Sequence, residues 1–446
     1  MKNNSLTITY DKFSIENDFV IKVLFALFFI SEALVFYLVL FEKTKILLLL
    51  VALIAMLIIV VKPLYGLYIT TIVAISGIAS NLLQGMYLSL ILLTTVVWIL
   101  YFLINKKKSL VSAPQNILWI LLGILMLFSS CYASDIYVSY LYLYAYIKYL
   151  LLYFLIINML DSWKSIRSLM WLLTITGLFM FFYGVYASFF ASADKPIMRM
   201  ISFVEDPNSF AIKLMPLVAF SYILIKTEKL RILKIVALIL LISLILSIIL
   251  TFSRGGMIAL FIMLSFIGFK EIKHKRNIFF IVMFILLLLL IIPQELMFFR
   301  IGTITNINLD ASIIQRVKIL KGALRMFLDH PIWGVGAGNF ITHSKIYCGT
   351  ILGRVAHNSF LHVAAENGII GLLLFSSILA LTFKNLIYCC KNLTNSKYYY
   401  YPLGIIYALL GFLIHSLFLS EQFNVVLFIL IGLTVIINNM VKLSES

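Results

Sequence analysis

The sequence predicts an all-α fold: a polytopic transmembrane helical bundle of about 12 to 14 spans, with one large extracytoplasmic loop that contains an amphipathic helix. Of the 446 residues, 63% are hydrophobic and 12% are charged, and the mean hydropathy is +1.09. No soluble core buries that much apolar surface, so the bilayer must act as the solvent. The apolar residues also fall in stretches of about 20, the length that one span needs.

These stretches run along the whole chain, and the second and third are short. They cover about 20–41, 46–61, 64–80, 86–104, 116–132, 137–160, 166–190, 209–226, 232–251, 255–270, 277–294, 358–383, 400–419 and 423–441. The first 19 residues stay polar for too long to be a signal peptide, in which the apolar region begins early, so they predict a cytoplasmic tail. We therefore expect three regions, which are 1–294 with about 11 spans, the outer loop 295–357, and 358–446 with about three spans.

Lysine and arginine predict the orientation. They concentrate in the loops that follow even-numbered spans, such as Lys106-Lys107-Lys108, and are sparse in the alternate loops. Because cytoplasmic loops carry the excess of basic residues, both termini are predicted to be cytoplasmic. Residues 191–208, 251–256 and 295–357 then lie outside. The net charge of +17 is explained by basic residues in the cytoplasmic loops between spans. It is therefore poor evidence for binding to nucleic acid.

Two short outer segments contain candidate site residues. In "FVEDPNSFA", residues 203–211, Asp206-Pro207-Asn208 predicts a turn, with Asn208 or Ser209 as the helix cap. A role in binding for Asp206 and Asn208 is the alternative to this structural one.

In "TFSRGG", residues 251–256, Arg254 stands between two apolar segments without an acidic neighbour. A cation at the hydrocarbon edge is costly and is usually paired or functional. Snorkelling to phospholipid phosphates is the alternative. Gly255 and Gly256 predict a tight turn that aims the arginine.

The large outer loop contains an amphipathic segment. On a helical wheel its basic stripe consists of Lys318, Lys321 and Arg325, which we expect to face lipid headgroups. Arg316 falls nearly opposite, among Leu320, Ala323 and Phe327. A buried arginine needs an anionic partner, and no acidic residue occurs between Asp310 and Asp329, so the partner is expected to be a ligand. Pro331 then ends the helix, and Gly334, Gly336 and Gly338 predict a flexible or closely approached turn.

The segment "HNSFLHVAAENGIIG", residues 357–371, begins the next span. His357 shares a helix face with Ala364, Gly368 and Gly371, a strip that permits close helix contact or a groove for a lipid tail. A histidine at the membrane edge can act as a base near neutral pH. A helix-start histidine bonded to backbone is an equal alternative. His362 and Glu366 lie one turn apart and can pair with each other.

The motif H-N, nine residues, G-x-x-G (His357, Asn358, Gly368 and Gly371) resembles the signature of the O-antigen ligase and Wzy-type polymerase superfamily. "DHPIWGVGAGNF", "SRGG" and "DPNSFA" resemble further elements of that family, in its order. The resemblance implies transfer of a glycan from an undecaprenyl diphosphate carrier to an acceptor hydroxyl, outside the bacterial cytoplasmic membrane. It identifies Arg254, Arg316 and His357 as the candidate catalytic residues. Asn358, Arg354, Arg199, Asp206 and Asn208 are the candidate substrate-binding residues.

The leading hypothesis is a polymerase of lipid-linked repeat units. An O-antigen ligase that passes finished glycan to lipid A-core or another acceptor is the alternative, and a lipid or glycan transporter that uses Lys148 and Lys213 is a remote one. The expected partners are the lipid-linked oligosaccharide, a glycan or lipid acceptor, membrane lipids and other polysaccharide-assembly proteins. No cofactor is expected. No carboxylate cluster or set of His and Cys ligands lies on the extracytoplasmic side, so the sequence predicts no metal site.

Overall fold

The computed structural model describes residues 54–78, 86–104, 109–189, 199–203, 206–271, 311–349 and 353–445. The chain divides into two units, Met1–Val61 and Lys62–Ser446. Residues 54–61 of the first unit are helical. The predicted spans 20–41 and 277–294 and the beginning of the large loop, 295–310, lie outside the described residues. The three predicted regions remain a prediction.

Regular secondary structure in the described residues is helical throughout, which confirms the all-α class. The helices are α1 (Pro63–Ser76), α2 (Met86–Ile104), α3 (Pro114–Ser129), α4 (Ile136–Met159), α5 (Trp163–Phe189), α6 (Pro207–Thr227), α7 (Arg231–Leu250), α8 (Arg254–Glu271), α9 (Ala311–Asp329), α10 (Phe340–Cys348), α11 (Ser359–Asn392), α12 (Tyr400–Ser416) and α13 (Val425–Glu445). A short 3-10 helix, Lys397–Tyr399, precedes α12. Among the described residues, eight helices are long and apolar enough to cross a membrane. The protein is therefore a multi-pass membrane protein.

The helix boundaries follow local chemistry. Proline opens α1, α3 and α6, where its missing N–H has no helical partner to lose, and the left-handed Gly77 follows α1. The end that hydropathy predicted for α11, residue 383, is wrong, because the helix continues to Asn392. Hydropathy marks only the part of a helix that the bilayer would cover.

The core lies around α6 and α13. In these two helices 78% and 83% of an apolar stretch of 18 residues is buried, whereas in α2 the buried share is 22%. Helix α6 packs against α7 and α12, and α13 packs against α4 and α11. The beginning of α6 and the ends of α7 and α12 meet at one end of the bundle. There the Met200 N–H donates to the Leu250 carbonyl at 2.9 Å, and Ser253 Oγ lies 3.5 Å from His415 Nε2. We call this end the site end; its described loop residues are 199–203, 206, 251–254, 353–358 and 417–424.

The described part of the large loop has its own small core on α9, α10 and the beginning of α11. Its buried members are Ile319, Ala323, Met326, Val335, Phe340, Cys348, Ala356 and Ala365. The cluster joins α9 to the residue directly before His357. It therefore fixes one wall of the candidate site.

Candidate active site

Asp206 caps the first turn of α6. Its Oδ2 accepts from the Ser209 backbone N–H at 2.7 Å, and its Oδ1 accepts from the Asn208 side-chain amide at 3.2 Å. The prediction that Asn208 or Ser209 caps this helix is therefore wrong. Pro207 takes the first helical position, where it needs no hydrogen bond, so the cap falls on the residue before it.

Arg199 joins this cap to the corner between α7 and α8. Its Nε donates to the Thr251 carbonyl at 2.9 Å, and its Nη2 lies 3.4 Å from Asn208 Oδ1 and 3.5 Å from the Phe252 carbonyl. The first bond is the strong one, since the other two are long. Burial lowers the pKa of Arg199, Asp206 raises it and Arg316 lowers it. A guanidinium nevertheless stays charged, so Arg199 is a fixed cation at the site end.

Arg254 is exposed at the first residue of α8. Ser253 caps this helix, because its Oγ accepts from the Gly256 N–H at 3.1 Å. The two glycines do not form the predicted turn but lie in the first helical turn. A Cβ on Gly255 would come within 2.9 Å of Phe418 Cβ, and one on Gly256 within 3.0 Å of Ala211 Cβ. The glycines thus allow close packing that holds Arg254 at the site end.

His357 precedes α11 in a left-handed conformation, with φ of 52°. Asn358 caps α11, since its Oδ1 accepts from the Leu361 N–H at 3.0 Å, and its Nδ2 donates to the Leu417 carbonyl at 3.4 Å. His357 Nδ1 is buried and has no hydrogen-bond partner among the described residues. This disfavours the alternative in which His357 is bonded to backbone through that nitrogen. A buried, unsatisfied ring nitrogen is a candidate partner for a ligand hydroxyl.

The surroundings of His357 keep its imidazole neutral. Burial lowers the pKa of His357, and the positive charge of Arg316 lowers it further. Asp206 raises this pKa, while Arg354 and His362 lower it. Because the net shift is downward, the imidazole is mostly uncharged at neutral pH and can accept a proton.

The helical wheel predicted that Arg316 lies on the buried face of α9. This prediction is wrong, because the Arg316 side chain is exposed. The face of α9 that packs against the protein centres on Ile319, Gly322 and Met326, and is therefore rotated away from the face that the wheel predicted. Gly322 causes this rotation, because a Cβ there would meet the Tyr347 carbonyl oxygen at 2.9 Å, so α10 approaches on that side. Arg316 lies at the margin of this face, within electrostatic reach of both Arg199 and His357.

The structure brings most of the predicted residues together. Arg199, Asp206, Asn208, Arg316, Arg354 and His357 are linked by hydrogen bonds or by their mutual effect on pKa values. Arg354 is exposed and its backbone N–H donates to Ser344 Oγ at 2.9 Å. Arg254 shares the corner whose carbonyls bind Arg199. The site end thus carries several arginines, the His357 imidazole and the carboxylates of Asp206 and Glu421.

The glycine-rich part of the loop inserts at a break in α11. Gly368 has φ of 63° and ψ of −164°, a conformation almost restricted to glycine. The N–H groups of Val335 and Gly336 donate to the Ala365 and Glu366 carbonyls at 2.9 and 3.0 Å, and the Ile369 N–H donates to the Pro331 carbonyl at 2.8 Å. The strip below His357 is therefore covered at Gly368 by the loop, not left as a groove for a lipid tail.

One predicted contact inside the bundle and the two lysines of the transporter alternative can also be located. His362 Nε2 lies 3.0 Å from Glu366 Oε1, which confirms the predicted pair. Lys148 Nζ stands 4.3 Å from the centre of the Tyr144 ring, a cation–π contact. Lys213 lies within electrostatic reach of Glu421.

Glu421 is a candidate site residue that the sequence reasoning missed. Its Oε1 accepts from Ser209 Oγ at 2.7 Å and its Oε2 from Asn424 Nδ2 at 2.8 Å, while its backbone N–H donates to Ser359 Oγ at 2.9 Å. It thus holds the beginnings of α6 and α11 together. The polar run "SEQ" between two apolar spans was the available signal.

Comparison with known proteins matches residues 238–376 to the family model Wzy_C, described as O-antigen ligase. No curated protein matches the chain. The matched segment includes Arg254, Arg316, Arg354, His357 and Asn358, whereas Arg199, Asp206 and Asn208 precede it. Enzymes of this class transfer glycans and work on lipid-linked substrates in a membrane. The match over residues 238–376 therefore supports the resemblance to the O-antigen ligase and polymerase superfamily that the motif at His357 predicted.

Proposed function

We propose that the protein is a glycosyltransferase that joins undecaprenyl-diphosphate-linked oligosaccharide repeat units at the outer face of the bacterial cytoplasmic membrane. The observation that carries the proposal is the buried Nδ1 of His357, which has no hydrogen-bond partner among the described residues and lies within the electrostatic reach of the exposed Arg316 guanidinium. Transfer from a lipid diphosphate needs a base for the acceptor and fixed positive charge for the leaving group. The site end offers both.

His357 is the proposed general base. In this reaction the acceptor hydroxyl gives its proton to the imidazole while its oxygen bonds to the anomeric carbon of the donor sugar. The buried Nδ1 atom has no other partner among the described residues, so it is one candidate for the accepting nitrogen. General base catalysis of this kind contributes about 10²- to 10⁴-fold to the rate.

The arginines are the proposed diphosphate site. As the bond between the anomeric carbon and the phosphate oxygen breaks, that oxygen takes the electron pair and the lipid diphosphate gains negative charge. Guanidinium groups bind phosphate oxygens through paired N–H donors and stay charged at any physiological pH. Arg316 and Arg254 are proposed to bind the diphosphate, with Arg199 and Arg354 adding to the local potential. We propose a reaction independent of metal ions.

Asp206, Asn208 and Asn358 are proposed to contact the glycan. Asp206 and Asn208 border Arg199, and Asn358 follows the base directly. Their first role is structural, since Asp206 and Asn358 cap helices. The exposed Asp206 carboxylate retains acceptor capacity for sugar hydroxyls.

An O-antigen ligase is the second candidate, because the family match supports ligases and polymerases alike. Ligation uses the same donor chemistry with a different acceptor. A glycan gel of a deletion strain separates the two functions. Single-repeat glycan on the surface indicates a lost polymerase, whereas long chains that remain on undecaprenyl diphosphate indicate a lost ligase.

The same deletion strain tests the site. Wild-type protein should restore the glycan ladder, whereas His357→Ala, Arg316→Ala and Arg254→Ala should not, because each removes the base or a diphosphate ligand. Membrane levels of each variant, measured by immunoblot, separate lost activity from lost protein. A full ladder with His357→Ala at normal protein levels would refute the proposed base.

A further inference from the structure

A polar cavity lies at the end of the bundle opposite the site end. Its volume is about 460 Å³, and it is bordered by the beginnings of α5 and α7, the end of α6 and the 3-10 helix before α12. Helix α6 has 21 residues, so the cavity and the site end are about 30 Å apart along its axis. The charge distribution of the sequence predicts that this end is cytoplasmic.

Lysines from three separate elements surround the cavity. They are Lys164 at the beginning of α5, Lys229 after α6 and Lys397 in the 3-10 helix, and all three are exposed. Among the described residues no carboxylate lies within salt-bridge distance of any of them. None of the three is paired with a described carboxylate, and Lys397 Nζ stands 4.9 Å from the centre of the Tyr398 ring, so three cations border one cavity and create a positive potential there.

The carboxylate in the cavity does not neutralise these lysines. Glu228 is 5% exposed, and Arg167 occupies it with Nε at 2.5 Å and Nη2 at 2.6 Å. Trp171 Nε1 donates to the same carboxylate at 2.8 Å. This bidentate pair is locally neutral and fixes one wall, so the lysines remain available to an anion.

The other walls are aromatic and apolar. The rings of Trp163 and Tyr398 stack with centroids 4.4 Å apart and an angle of 12° between their planes. Leu230, 62% exposed, and Leu233 line the side at α7, whose outer surface is apolar. A basic polar region, interfacial aromatic rings and an apolar rim match the headgroup, glycerol and acyl chains of a phospholipid in that order.

We propose that this cavity binds the phosphate group of an anionic phospholipid. Lys164, Lys229 and Lys397 contact the phosphate, the stacked Trp163 and Tyr398 border the glycerol, and the acyl chains leave over Leu230 and Leu233. A soluble phosphate compound would share the first contact but would not need the leucine rim. The site is separate from the proposed glycan transfer and does not depend on it.

The test is a native mass spectrometry titration of the full-length protein in detergent with phosphatidylglycerol and with phosphatidylcholine. Wild type should retain phosphatidylglycerol preferentially. The variant Lys164→Gln, Lys229→Gln, Lys397→Gln should bind it on the order of 100-fold more weakly, because each lysine contributes roughly a factor of five near an anionic headgroup. The matched control replaces Lys234, Lys384 and Lys391 by Gln, three exposed lysines on the same predicted face that do not line the cavity. It should bind like wild type.

Equal loss of lipid in both triple variants, or no preference for phosphatidylglycerol in wild type, would overturn the proposal. Stabilisation of wild type by inorganic pyrophosphate without retention of phosphatidylglycerol would overturn the lipid assignment. If the triple variant does not insert, the single variants Lys164→Gln and Lys397→Gln each should weaken binding by roughly fivefold. Unchanged binding in both would then overturn the proposal.

Discussion

At the scale of residues, backbone strain marks the candidate site. Among the described residues, two that are not glycine have positive φ, Phe252 at 49° and His357 at 52°. Such a conformation costs on the order of 1 kcal/mol or more and persists only where the surroundings impose it. Phe252 presents its carbonyl to Arg199, and His357 directly precedes the α11 cap. Both strained residues therefore position groups at the site end.

The pH dependence of transfer should report the charges around His357. The active form is the neutral imidazole, so kcat/KM should fall only at acidic pH, below the ordinary histidine pKa of about 6.5. Arg316→Gln removes a cation that lowers the pKa of His357, so the acid limb of the pH profile, where kcat/KM falls, should move to higher pH. Asp206→Asn removes an anion that raises it, so the limb should move to lower pH, while asparagine can still cap α6.

Arg325→Gln is the matched control, because Arg325 is an exposed residue of the same helix outside the group around His357. Its limb should coincide with that of wild type. Shifts of Arg316→Gln and Asp206→Asn in the same direction would contradict the account, whatever the remaining rate.

At the scale of elements, α9 has three faces with different surroundings. Ile319, Ala323 and Met326 pack into the loop core, and Arg316 lies at the margin of that face. Val317, Leu324 and Leu328 form an exposed apolar face, and the exposed basic stripe of Lys318, Lys321 and Arg325 lies next to it around the helix. Exposed apolar residues beside a basic stripe are typical of a helix that lies in a bilayer surface.

The insertion at the α11 break predicts an unequal response to two glycine substitutions. A Cβ on Gly368 would clash with the Ile332 carbonyl, in a conformation that almost only glycine adopts. Gly349 also has positive φ, 61°, but a Cβ there would meet nothing within 4 Å. Gly349→Ala should cost about 1 kcal/mol, and Gly368→Ala clearly more, because it adds the clash to the strain.

Thermal unfolding of the two purified variants measures this difference. Equal midpoints of thermal unfolding for Gly368→Ala and Gly349→Ala would mean that the loop does not pack closely against the break in α11. The comparison uses stability alone and so is independent of the proposed reaction.

At the scale of the whole molecule, the sequence predicted the helices well and the site in part. Hydropathy determines where a span lies, so the predicted span at 232–251 agrees with α7 to within one residue at each end. His357 and Asn358 were identified from a local motif. The exposure of Arg316 was not predictable, because it depends on how closely α10 approaches Gly322. Glu421 was missed because its role comes from contacts with Ser209 and Ser359, which are distant in sequence.

The central claim is that His357 acts as the base for glycan transfer, and a reconstituted reaction tests it most directly. Purified protein in lipid vesicles would receive a lipid-linked oligosaccharide and an acceptor, and the glycan products would be separated by gel. His357→Gln should lower the initial rate by about 10²- to 10⁴-fold. His330→Gln, which changes an exposed histidine elsewhere in the loop, should leave the rate unchanged. Equal rates for wild type and His357→Gln would contradict the account.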